Sequence, residues 1–151
     1  MRAQVLSVCV ILLAAVAAQA RGPEAVLSDI QRSHIEGNVP VSKDFDSFLH
    51  RDVAAYFRSA IKIENPTIEI ELLRNGPTQS GVAYPKYYAW VVVKAENREV
   101  AEGALRVAAI DEARFEVTDF LSKSSIRSSP ASVSAAFPAS LVGSVIERAS
   151  K

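Results

Sequence analysis

The amino-acid sequence predicts an α+β fold. One amphipathic helix lies on a four-stranded antiparallel sheet, and a C-terminal helical segment follows. Three observations carry this prediction. Between Asp44 and Lys62 the apolar residues Phe45, Phe48, Leu49, Val53, Phe57, Ala60 and Ile61 recur at three- and four-residue spacing, which makes one stripe on a helix. From Thr67 to Leu121 the period falls to two, the pleat of a strand that buries one side. The links "AENRE" and "DEA" within that region are hairpin-short, and hairpins join antiparallel neighbours.

The first twenty residues stand apart. A charged "MRAQ" precedes "VLSVCVILLAAVAA", an apolar run of signal-peptide length and shorter than the roughly 20 residues of a typical spanning helix. Ala18-Gln19-Ala20 has the small-x-small form of a cleavage site. The expected organisation is therefore a leader over residues 1–20, a short helix and connector over 21–43, and a single α+β domain over 44–151. Cleavage leaves 131 residues, which is one domain's length and enough for a real core. The only cysteine, Cys9, goes with the leader. Val8 precedes it where a lipoprotein would need a small residue. A chain without disulfides, delivered outside the cytoplasm, fits a secreted or periplasmic location, with no stable membrane insertion after cleavage. The mature chain has 16 basic and 17 acidic residues, a net charge of −1, so nucleic acid is not an expected partner.

The elements follow in order. "PEAVLSDIQRSHIEGN" reads as a short helix on Ala25, Val26, Leu27 and Ile30, stopped at Gly37, and "VPVS" as an extended connector. In the main helix Ser42 is placed to cap the start, Asp44 and Asp46 suit its positive end, and Asn65-Pro66 ends it. In "TIEIELLR" Ile68, Ile70 and Leu72 face one way and Glu69 and Glu71 the other. "LLRNGPTQSGVAYPKYYAWVVV" then turns at Asn75-Gly76, with Gly81 as a second flexible point, and Asn75 to Gly81 reads as a hairpin loop. In the second strand Tyr87, Ala89, Val91 and Val93 share a face opposite Tyr88, Trp90, Val92 and Lys94. The third strand sets Leu105, Val107 and Ala109 against Glu102, Arg106 and Ala108. The fourth sets Phe115, Val117 and Leu121 against Arg114, Glu116 and Thr118. "SKSSIRSSP" reads as a loop, with Ser129-Pro130 as a cap and first turn. Val133, Phe137, Leu141, Val145 and Ala149 then form a stripe that Pro138 breaks into two helical pieces.

Over about Asp44 to Ser122 this order resembles the cystatin-like and NTF2-like α+β rolls, in which a curved sheet wraps a helix. Cystatin-family inhibitors carry a Gln-x-Val-x-Gly hairpin. This chain reads Gln79-Ser80-Gly81-Val82-Ala83, so that activity does not transfer. NTF2-like enzymes place a His or Asp in the pocket of the roll. The corresponding candidate is Asp52, which intrudes on the apolar stripe and, if desolvated, would be a general base.

The sequence points to binding more than to chemistry. Tyr88 and Trp90 share a strand face with Glu69, Glu71 and Arg106 on neighbouring strands. An aromatic centre inside a charged rim is a candidate site for an unknown small molecule or protein partner, or for a homodimer contact. The competing arrangement covers this face with Phe137 and Leu141 of the C-terminal segment, as strands apolar on both faces usually require. "SAIK", Ser59 to Lys62, matches Ser-x-x-Lys of penicillin-recognising enzymes, but Ser-Asp-Asn and Lys-Thr-Gly are absent. His34 and His50 lie sixteen positions apart with no ligand spacing around them, so neither a metal nor a cofactor is expected.

Overall fold

The computed structural model describes residues 22–151, and the expected leader lies outside the described residues. Helix α1 (Pro23–Glu36) opens on proline at its first turn, where a missing N–H costs nothing, and stops at Gly37. None of its residues is buried. The chain is fastened to the body just after it. Pro40 is buried, the Asn38 carbonyl accepts the Glu112 N–H at 3.0 Å, and Asn38 Oδ1 accepts the Asp111 N–H at 3.3 Å.

Helix α2 (Ser42–Ile61) carries the predicted stripe, with Leu49, Val53 and Phe57 fully buried. Both of its expected ends move. Ser42 is already helical, and the Val41 carbonyl accepts from Asp44 and Phe45, so no side-chain cap forms. The helix stops at Lys62, which is in the left-handed conformation (φ 54°). Asn65-Pro66 falls beyond it, in the turn into the sheet.

The sheet comprises β1 (Thr67–Leu72), β2 (Lys86–Ala95), β3 (Arg98–Ile110) and β4 (Arg114–Ser122), antiparallel and in sequence order. Its α2 side holds Tyr87, Ala89, Val91, Val93, Leu105, Val107, Ala109 and Phe115, with Phe45, Phe48, Ile68, Ile70 and Val117 partly buried around them. Phe57 meets Phe120 edge-on at 4.9 Å between ring centroids, and Phe45 meets Phe115 at 5.0 Å.

One facing assignment was inverted. Between Arg106 and Val107 the β3–β4 register shifts: Arg106 opposes Asp119, Val107 opposes Val117, and Thr118 is the extra residue. A bulge of one residue reverses the alternation beyond it. Phe120, not Leu121, therefore reaches the α2 core, and Leu121 packs on the opposite side. The β1–β2 connection is also longer than a hairpin. Thr78 pairs back onto Lys86 through two backbone bonds of 2.8 and 2.9 Å. The Gln79 amide donates to the Gly81 and Ala83 carbonyls at 2.9 and 2.6 Å, which makes 73–85 a folded loop.

After β4 the serine-rich stretch is not a loop. Ser122 Oγ accepts the Ser125 N–H and caps α3 (Lys123–Ser128), whose Ile126 is fully buried. Pro130 precedes α4 (Ala131–Ala136) without a side-chain cap, and Pro138 separates α4 from α5 (Ala139–Ser150), the predicted break. Ile126, Val133, Ala136, Phe137, Leu141, Val145 and Ala149 close over the second side of the sheet.

Candidate functional site

The C-terminal helices decide what the predicted aromatic face can do. Tyr88 and Trp90 are 5% and 1% exposed, beneath Phe137, Leu141 and Val145. Of the two arrangements that the sequence leaves open for this face, the structure has the covered one: the protein covers it with its own helices. The reason lies in strand β2, which is apolar on both faces and has no solvent side to spare. Tyr88 keeps its hydroxyl bonded to Thr78 Oγ1 at 2.9 Å, and its ring lies 5.6 Å from that of Phe137.

The charged rim is brought together around Trp90, and it joins layers. Trp90 Nε1 donates to Glu102 Oε1 at 3.0 Å, and Lys123 of α3 reaches the other oxygen of Glu102 at 2.7 Å. The Arg148 guanidinium of α5 stands 5.1 Å over the indole ring and donates to Glu71 Oε2 at 2.6 Å. Arg106 donates to Thr118 Oγ1 at 3.0 Å and to the Ala136 carbonyl at 3.1 Å, and pairs with Asp119. Glu69 pairs with Lys94 on the neighbouring strand. Each predicted rim residue thus has an internal partner, and through theirs Glu71 ties α5 and Arg106 ties α4 to the sheet.

The titration shifts follow from these contacts. The hydrogen bond from Arg148, helped by its charge, holds the Glu71 carboxyl below its usual range against the opposing effect of burial. Burial pushes Glu102 up, but the hydrogen bonds from Lys123 and Trp90 and the charges of Lys123 and Arg148 outweigh it, and the net shift is downward. At the other end of this face, burial and the neighbouring Arg106 lower the Lys86 ammonium, against Glu116 and Asp119.

Asp52 sits elsewhere. Its Oδ2 accepts the Phe115 N–H at 2.7 Å and its Oδ1 accepts from Arg51 Nε at 2.8 Å, while Arg51 also donates to the Ala113 carbonyl at 2.7 Å. The pair clamps α2 to the start of β4. With both oxygens hydrogen-bonded, Asp52 is a joint between α2 and β4.

A feature absent from the sequence reading lies at the edge of the sheet. Strand β4 pairs with β3 only from Gly103 onward, then leaves the sheet at Lys123. Arg98 to Glu102 of β3 project past it. Of these, Glu99 to Glu102 floor an open groove of about 810 Å³, lined by Ile61 and Phe120 towards α2 and by Ser122, Lys123, Ser124, Arg127 and Ser128 towards α3. Val100 is the extra residue of a second register shift, between Val93 and Lys94, and stands 46% exposed in this groove. Arg127 donates through Nε to the Ala149 carbonyl and has no carboxylate partner among the described residues. One signal was available in the sequence: the third alternating stretch is clearly longer than the fourth, so part of it had to lack a neighbour. The groove's basic wall was hidden because Lys123 and Arg127 sit in the stretch read as a loop.

Compared with family models, curated proteins and solved structures, the chain finds no match.

Proposed function

We propose that this chain is an exported, non-catalytic binding domain whose ligand-facing element is the groove between the end of α2, the projecting part of β3, and α3. The observation that carries the reading is the groove's two-sidedness. Ile61, Val100 and Phe120 offer apolar surface, while Arg127 offers a cation with no carboxylate partner among the described residues. A concave site with apolar walls and a few orienting polar groups suits an amphipathic ligand with an anionic group. Tyr88 and Trp90 lie under the C-terminal helices and Asp52 is bonded to Arg51 and Phe115, so the reading rests on the groove. Export rests on the expected leader, and intact-mass analysis of protein from its native host tests it. An N-terminus at Arg21 supports export, and retention of Met1 to Ala20 removes it.

Anilinonaphthalene sulfonate, an apolar dye with one sulfonate, tests the groove. Its fluorescence should rise with the native protein and fall several-fold in Val100→Glu and Arg127→Glu, with unchanged circular dichroism. Dye emission indifferent to both substitutions would overturn the groove as the binding element.

A further inference from the structure

The floor of this groove is a strand edge. Arg98 to Glu102 of β3 pair with β2 alone: Ala95 opposes Arg98, Lys94 opposes Glu99, Val93 opposes Ala101, and Val92 opposes Glu102. On the other side β4 has already turned into α3, and among the described residues no strand or loop makes a backbone hydrogen bond to this stretch. An edge of this kind presents a row of backbone donors and acceptors that template another strand.

We infer that the groove captures an extended segment of a partner polypeptide, added to β3 along the line that β4 vacates. This rests on the proposed binding role of the groove and names its ligand. The two walls specify the segment. Side chains of a strand alternate between faces. In this position one set would turn towards Ile61 and Phe120, which lie on the α2 side with Val100 between. The other set would turn towards Lys123, Arg127 and the serines of α3. Lys123 is already neutralised by Glu102, and Glu102 also accepts from Trp90, so neither charge is free for a ligand. Arg127 has no carboxylate partner among the described residues. The matching segment is apolar at alternate residues and carries one carboxylate opposite Arg127. Arg98 to Glu102 oppose four residues of β2 because Val100 is bulged, so this edge fits a segment of about four to five residues at roughly 3.4 Å each. Main-chain bonds then supply affinity and the alternate side chains supply specificity, the mode of β-strand addition.

The interaction has a built-in reporter. Lys123 lines the groove and contacts Glu102, which holds the indole N–H of the only tryptophan. A strand that displaces Lys123 should change Trp90 emission.

The probe is the capped peptide Val-Glu-Val-Ser-Val, followed by Trp90 fluorescence and calorimetry on the full mature chain. Controls replace its Glu with Lys, or N-methylate either the odd or the even amides. Binding is expected to weaken at least tenfold with the Lys peptide and with one of the two N-methylated peptides. Arg127→Glu, checked for an unchanged melting temperature, should lose the Glu peptide by at least tenfold. If both N-methylated peptides bind within twofold of the parent, strand addition is overturned. If no peptide binds while the dye still reports the groove, strand addition fails and the groove reading stands. If neither peptide nor dye binds there, both fail. Concentration-dependent dimerisation that Arg127→Glu abolishes would assign the edge to a second copy and overturn the foreign strand.

Discussion

Trp90→Ala should be among the most damaging single substitutions in this protein. The indole is 1% exposed and fills the centre of the layer between the sheet and the C-terminal helices. Truncating a buried large aromatic residue costs about 3–5 kcal/mol through lost transfer energy and the cavity left behind. Loss of the stacking cation Arg148, whose side chain is 34% exposed, adds about 0.5–1 kcal/mol. Glu102 keeps Lys123, so no orphaned buried charge is added. The sum, about 3.5–6 kcal/mol, is comparable to the whole stability of a small domain, about 5–15 kcal/mol. Trp90→Phe separates two of these effects. It keeps a ring and removes the N–H bonded to a carboxylate, a loss of about 1.5–3 kcal/mol. Urea unfolding followed by far-ultraviolet circular dichroism measures both variants, since neither retains the fluorophore. In the unsubstituted protein, Trp90 emission should be blue-shifted and protected from iodide in the dilute monomer. A cost below about 1 kcal/mol for Trp90→Ala, or iodide quenching like that of free indole, would refute the covering of this face.

Phe57→Ala, buried against α2's own Tyr56 and against Phe120, should cost about 3–5 kcal/mol in the same urea experiment, and a loss under about 1 kcal/mol would mean that the α2 stripe does not face the sheet. Gly103→Ala should destabilise by at least about 1–3 kcal/mol, because the new Cβ would stand 2.1 Å from the Leu121 carbonyl oxygen, and backbone cannot yield as a side chain does. A Gly103→Ala variant with native stability would show that β4 does not pass so close. The lowered Glu102 carboxyl stabilises the fold fully above its unfolded value, near 4.5, and this contribution is lost as pH falls through the lower folded value. Urea midpoints between pH 6 and pH 3 should therefore fall less steeply in Glu102→Gln, and identical slopes would contradict the Trp90–Glu102–Lys123 contacts.

Much of the fold was legible because periodicity is a local property. The stripe from Phe45 to Ile61, the alternation of Ile68 and Ile70 and of Val91 and Val93, and the break at Pro138 each depend on residues close in sequence. The α2 core follows from them directly: Phe48, Leu49, Val53 and Phe57 pack with Ile70, Val91, Val93, Leu105, Val107 and Val117. Ser122 was harder to read. Its hydroxyl caps α3 only because the chain bends there, and a serine-rich stretch looks the same whether it caps a helix or forms a loop.

What the sequence determined by itself was the residue inventory of each face: Tyr88 and Trp90 opposite Val91 and Val93, with Glu71, Glu102 and Arg106 around the aromatic pair. Which molecule would meet that face was a question of long-range geometry. It was answered by the return of α3, α4 and α5, whose Phe137, Leu141, Lys123 and Arg148 are contributed from 21 to 77 positions away from the side chains they meet. The Thr118 bulge was equally invisible, since nothing within "RFEVTDFL" shows which residue β3 leaves unpaired, yet that one residue decides whether Phe120 or Leu121 enters the α2 core. The open edge at Arg98–Glu102 likewise exists only because β4 ends its pairing at Gly103, a register set by packing across the whole sheet and not by either strand alone.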